Sequence, residues 1–152
     1  MEDIYHCCSF HQRWKGFCIA MERSGLKLEP ELCILDSDSS LYGDSHWLDK
    51  KFQDMPDLPD AFICANDFLA LNIISTLKQR NIRIPEQVMV SGFDGMLQSG
   101  VVDPALTTAQ IPSAEIARLS AEMLLARIEN PSRPLQRIYV ETTLIWRKST
   151  SR

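Results

Sequence analysis

No run of apolar residues in this 152-residue chain approaches the roughly 18–20 that a membrane-spanning helix needs. The opening Met1-Glu2-Asp3-Ile4-Tyr5-His6 has no basic stretch and no long apolar core, so a secretory signal is not expected there. Basic clusters are missing as well. Lys and Arg are dispersed and the formal net charge is −4, which leaves no surface suited to tracking nucleic-acid phosphates. Cys7, Cys8, Cys18, Cys33 and Cys64 are odd in number and never at CxxC spacing. They read as reduced, buried thiols of a cytosolic protein. The nearest approach to a metal set, His6-Cys7-Cys8 with His11, lacks the paired ligands that zinc sites use, so neither metal nor cofactor is expected. No Ser/His/Asp set converges and no phosphate-cradling Gly-rich loop follows a strand, so the chain does not read as an enzyme. Internal repeats and low-complexity segments are absent too.

What is present is a regular alternation of short apolar runs and amphipathic stretches, in a chain long enough for one domain with a real core. Gln12–Ser24 places Trp14, Phe17, Cys18 and Met21 on one helical face, and Gly25 stops it. Glu31–Asp36 reads as a short strand and Asp44–Met55 as a helix with Trp47, Leu48, Phe52 and Met55 inward. Ala61–Asn66 is a second apolar strand. It hands over to a helix from Asp67 to Arg80, whose Phe68, Leu71, Ile74 and Leu77 fall on one face. Asn81 suits the left-handed position after that helix, and Pro85 forbids its continuation. Val88–Phe93 is the next strand and Asp94–Asp103 a loop. Leu106–Ile111 is a further strand. A helix capped by Ser113 then runs to about Glu129, with Ile116, Leu119, Met123 and Leu124 apolar, and Ile138–Trp146 alternates as a last strand. This rhythm predicts an α/β fold: a parallel sheet with helices on both faces.

Ligands of open parallel sheets sit at the carboxyl ends of the strands, where strand gives way to helix or loop. Asn66 and Asp94 stand at two such ends. Helix capping alone would account for Asn66, yet an amide that caps can also meet a ligand. Asp67 suits the helix dipole, and a turn would account for Asp94.

In order along the chain come Arg13-Trp14-Lys15-Gly16-Phe17, Pro59-Asp60-Ala61 with Asn66-Asp67 and Ala70, and Ile82-Arg83-Ile84-Pro85-Glu86. Gly92-Phe93-Asp94, Pro104-Ala105-Leu106-Thr107-Thr108 and Leu144 to Thr150 follow. Together these resemble the signature of LacI/GalR-type transcriptional regulators over about residues 12–150. The resemblance implies a periplasmic-binding-protein-like type I fold, here incomplete. Residues 1–103 would be mainly the C-terminal subdomain. Residues 104–135 would be a strand–helix remnant of the N-terminal subdomain, with no parent sheet to pack on, and 136–152 a return strand and tail. Ile4–Cys8 could supply the C-terminal subdomain's first strand, with a short loop from there to Arg13. The chain is then expected to be part of a longer regulator whose helix-turn-helix headpiece lies outside it.

The resemblance also implies a cleft that takes a small polar effector such as a sugar, with Arg13, Asn66 and Asp94 lining it. A planar guanidinium and a carboxylate suit hydroxyl-rich ligands. Tyr42 would stack on the ligand and Ser39 would contact it, both from the loop after the strand expected at Glu31–Asp36. The implied partners are the effector, a second copy of the chain through Leu97–Val102 and Phe68–Leu77, and DNA only through the missing headpiece. Membrane contact is not implied. The rival readings are a sugar-binding protein of a transport system and a truncated, non-binding remnant.

Overall fold

The computed structural model describes residues 7–35, 41 and 43–151. Three apolar runs become parallel strands of one sheet in the order β1 (Ala61–Ile63), β2 (Met89–Asp94) and β3 (Thr107–Gln110). A fourth strand, β4 (Thr143–Ile145), closes the order by running antiparallel to β3. The register sets Phe62 beside Val90 and Ser91 beside Thr107. The all-parallel expectation therefore holds for three strands and gives way at the fourth.

The core lies where β1 and β2 meet α2 (Ser45–Asp54) and α3 (Asp67–Gln79). Ala70, Leu77, Val88, Val90 and Leu106 are wholly buried there. The Phe52 and Phe62 rings meet tilted, 55° between planes, with centroids 5.3 Å apart, and Arg80 at the end of α3 clamps α2 by donating to Asp49 Oδ1 and to the Asp49 carbonyl, both at 2.7 Å. Alternation along β2 turns Phe93 to the face opposite Val90. There it meets Arg13 of α1 (Cys8–Arg23), so helices do cover both faces.

Several elements depart from the sequence reading. The strand expected at Glu31–Asp36 is a 3-10 turn over Pro30–Leu32 followed by an unpaired stretch, 33–35. Pro30 presets the turn, and Leu32 and Cys33 donate back to the carbonyls of Glu29 and Pro30. Of the proposed Ile4–Cys8 strand, residues 4–6 lie outside the described residues, while Cys7 and Cys8 begin α1. That helix starts four residues before Gln12. In α3 the buried face is Asp67, Ala70, Ile73, Ile74 and Leu77, and Phe68 is half-exposed. Ile74 and Leu77 are inward as expected, while Asp67 and Ala70 take the inward positions expected of Phe68 and Leu71. The loop expected at Asp94–Asp103 contains a short helix, α4 (Leu97–Val101). Leu106–Ile111 does not lack a sheet: β3 joins β2 directly. The last strand shrinks from Ile138–Trp146 to three residues because β3 offers it only Thr108 to Gln110. In α5 (Ser113–Glu129) Ser113 makes no cap, and no residue is buried.

The tail returns to the sheet through hydroxyls. Ser149, fully buried in a 3-10 turn over Lys148–Thr150, accepts from the Thr107 amide at 2.8 Å and donates to the Val90 carbonyl at 2.6 Å. Thr107 Oγ1 accepts from the Arg147 amide at 2.8 Å. Ser149→Ala strands a buried amide and a buried carbonyl. It is expected to lower stability by about 1–3 kcal/mol, read as a shifted urea midpoint at unchanged slope.

Candidate functional site

Arg13 stands in the second turn of α1, not the first, because the helix begins at Cys8. Its guanidinium lies over the Phe93 ring with Cζ 3.7 Å from the centroid. Nη1 donates to the Ala65 carbonyl at 2.6 Å and Nη2 approaches Asp94 Oδ1 at 3.5 Å. One side chain thus spans the carboxyl ends of β1 and β2. Ring, carbonyl and carboxylate all favour a planar cation.

Asp94 ends β2 with φ 112. Asp enters the left-handed region more readily than most residues, but this angle lies beyond the usual well, and such a backbone costs about 1–3 kcal/mol. The turn is held by neighbours on both sides. Ile111 donates its amide to the Asp94 carbonyl at 3.2 Å. Gly95, with φ 76, presses so closely on Gln110 that an added Cβ would come within 2.7 Å of Gln110 Cγ. Asn66 caps α3 by accepting from the Leu69 amide at 2.9 Å. The cap uses the amide oxygen, so the N–H donors remain available to a ligand. The structure therefore brings Arg13 and Asp94 together and sets Asn66 directly after the carbonyl that Arg13 binds. Tyr42 and Ser39 lie outside the described residues. Trp47, on α2, is half-buried with Lys51 Nζ 5.2 Å from its ring, a packing position.

Burial lowers the pKa of the Arg13 guanidinium, opposed by the Asp94 and Cys7 charges. The Asp94 carboxyl is pushed up from the usual range, chiefly by burial and further by Asp67, with Arg13 pulling it down. Beside this pair lies a cavity of about 190 Å³ between α1 and β1. Phe10, Trp14, Phe17, Leu35 and Ile63 make it mostly apolar; Arg13 borders it, whereas Asn66 and Asp94 do not. It follows the free edge of β1, which pairs with β2 alone among the described residues. The polar groups that could hold a ligand sit at the strand ends instead.

Asp67 is the residue whose part the sequence reading missed. Far from serving only the helix dipole, it is wholly buried and accepts from Thr108 Oγ1 at 2.6 Å, Ser99 Oγ at 2.6 Å and the Met96 amide at 2.8 Å. Gly92 makes room for it: an added Cβ there would collide with Asp67 Oδ1. The available signal was an acid at a strand–helix junction, between apolar neighbours, in a chain carrying Thr107-Thr108 and Gly92 further on.

A raised folded-state pKa means that ionising Asp94 opposes folding. Its contribution is fully present below the unfolded pKa, about 4, and is lost as pH rises through the folded value. Asp94→Asn keeps the neutral form and suits positive φ. It is expected to melt at or above the wild-type temperature at pH 7, with the advantage gone below about pH 4. A lower melting temperature for Asp94→Asn at neutral pH contradicts this.

Residues 2–150 match the family described as the periplasmic binding protein-like domain. The HTH-type transcriptional repressor PurR of Aliivibrio salmonicida is 30% identical over 138 residues, which cover 91% of this chain and 41% of that protein. The HTH-type transcriptional regulator IdnR of Escherichia coli is 31% identical over 122 residues, covering 78% of this chain and 35% of that one. Among solved structures, a LacI-type transcription regulator from Bifidobacterium animalis subsp. lactis aligns with TM-score 0.77 and 32% identity over 94% of this chain and 51% of that one. The transcriptional regulator CelR in complex with cellobiose aligns with TM-score 0.81 and 25% identity over 92% of this chain and 42% of that one. The chain thus spans about two fifths of the length of the regulators PurR and IdnR. It belongs to the periplasmic binding protein-like domain family, in the form that domain takes in LacI-type transcriptional regulators.

Proposed function

We propose that this chain is the C-terminal part of the effector-sensing module of a cytoplasmic LacI-type regulator, and that it binds a small polar ligand such as a sugar. The observation that carries the reading is the placement of Arg13. Its guanidinium is seated on Phe93 between the Ala65 carbonyl and Asp94, at the carboxyl ends of two parallel strands. That arrangement presents donors and a carboxylate to a hydroxyl-rich molecule. Asn66 supplies amide donors from the neighbouring cap. Tyr42 and Ser39 belong to the same proposal on sequence resemblance alone.

α5 fits a second subdomain: its Leu124, Leu125 and Ile128 are each at least 60% exposed, a face that needs cover. Ligand held between two such subdomains would favour one relative placement of them over another. Through a pair of subunits it would change the DNA affinity of a headpiece outside these residues. The pairing surface we assign is α4 with the outer side of α3. Leu97 and Val101 are 91% and 84% exposed on α4, and Phe68 is 51% exposed on α3. The relatives named are regulators, not enzymes or transport proteins.

Two measurements test the proposal. In thermal-shift screening of sugars, cellobiose included, a ligand at a hundred times its Kd stabilises by about 2.7 kcal/mol. That stabilisation is expected to vanish in the Arg13→Ala, Asp94→Ala double variant, and a stabilisation that survives it refutes the site. Sedimentation at micromolar concentration is expected to show a dimer, and a monomer there contradicts the pairing.

A further inference from the structure

The two backbone amides that follow Asp94 both end on one buried carboxylate. The Met96 N–H donates directly to Asp67 Oδ2 at 2.8 Å. The Gly95 N–H donates to Thr108 Oγ1 at 3.3 Å, and that hydroxyl donates its proton to Asp67 Oδ1 at 2.6 Å. The peptide units after Asp94 are therefore fixed from below, one by the carboxylate and one through a single hydroxyl relay. Ser99 Oγ donates to Oδ2 as well, at 2.6 Å, which ties the middle of α4 to the same group. Asp67 has no cation against it in this set: its partners are two hydroxyls and one amide. A carboxylate is suited to all of them at once because both of its oxygens only accept. An amide side chain of the same shape presents a donor on one side and cannot.

Asp94 itself needs such a hold. At φ 112 an isolated L-residue relaxes toward extended or helical backbone. The strand register alone does not prevent this, because Asp94 is the last paired residue of β2.

We propose that Asp67 is the positioning residue of the polar site: through Met96, and through Thr108 to Gly95, it holds the Asp94 turn that aims the carboxylate at Arg13. Asp67 touches neither Arg13 nor the proposed ligand; it acts through the backbone of its neighbour. The proposal deepens the ligand-binding reading and rests on it for the purpose of the turn, while the state of the turn can be read with no ligand present.

The test compares four variants in the isolated chain by NMR. The HN–Hα coupling of Asp94 is small at this positive φ and large in extended backbone, and the short intraresidue HN–Hα distance, read as a strong NOE, separates it from helical backbone, whose coupling is also small. Asp67→Asn and Thr108→Val are expected to raise that coupling and to shift the Gly95 and Met96 amides. Thr108→Ser keeps the hydroxyl and Ser99→Ala removes only the α4 tie, so both are expected to leave the coupling small. That pattern separates positioning from general stability, because Ser99→Ala also weakens the fold. A small coupling together with a strong intraresidue NOE in folded Asp67→Asn and Thr108→Val overturns the assignment. Loss of the folded state in both also overturns it, since the network would then hold the fold and not the turn. If either variant folds, its coupling decides.

The ligand arm uses cellobiose and isothermal titration. A tenfold or greater loss of affinity is expected in Asp67→Asn or Thr108→Val and little change in Ser99→Ala. Equal affinity in all four variants contradicts the positioning role. If the wild type binds no sugar while the coupling pattern holds, the ligand reading fails and the positioning of Asp94 by Asp67 stands.

Discussion

Asp67 enters the interior as the first residue of α3 and finds there two hydroxyls and an amide. Leaving a carboxylate inside a protein without partners is far more costly than any single apolar contact is favourable. The surrounding sequence is shaped by that requirement. Gly92 gives up its side chain so that α3 can close on β2. Thr108 turns its hydroxyl inward from β3, and Ser99 does the same from α4. Three elements that are distant in sequence are thus held at one point, and the strained turn of Asp94 rests on top of it.

The sheet behaves differently at its two ends. Toward the β4 end, β3 is paired on both sides, by β2 and β4, and is tied to the tail by the hydroxyls of Ser149 and Thr150. β1 has an apolar cavity along its outer edge, with Ile63 63% exposed. α5, the approach to β4 and the residue just after it carry further uncovered apolar residues, including Leu135 at 87% and Trp146 at 70% exposure. Uncovered faces of this kind belong to surfaces that another part of a protein covers. The site of Arg13 and Asp94 sits between the well-anchored and the uncovered regions. Its geometry is set by the anchored side.

Most helices were legible before any coordinates, because apolar residues at helical spacing and a stop such as Gly25 or Asn81 are local signals. The pairing of Arg13 with Asp94 was legible only through resemblance. The 80 positions between them carry no local mark that the two will meet. The failures share a physical cause. Glu31–Leu35 has the composition of a strand, but Pro30 and two backward hydrogen bonds turned its start, and no partner strand lies beside it among the described residues. Phe68 has the hydrophobicity of a core residue, yet Asp67 took the inward position next to it. In each case a hydrogen-bonding demand decided against an apolar pattern.

By itself the sequence determined the class of fold, the strand–helix alternation and the family signature, since each follows from the period of apolar residues or from short motifs. It also determined that Asn66 would cap α3, a contact only three residues long. The tertiary structure alone decided which face of α3 is buried, where β3 and β4 join the sheet, and that Arg13 lies on Phe93. It alone decided that the acid after Asn66 is the buried centre of a network and not a surface charge. The reason is distance along the chain. Local propensity acts over a few residues, whereas the partners of Asp67 stand 29, 32 and 41 positions away and are chosen only when the sheet has formed.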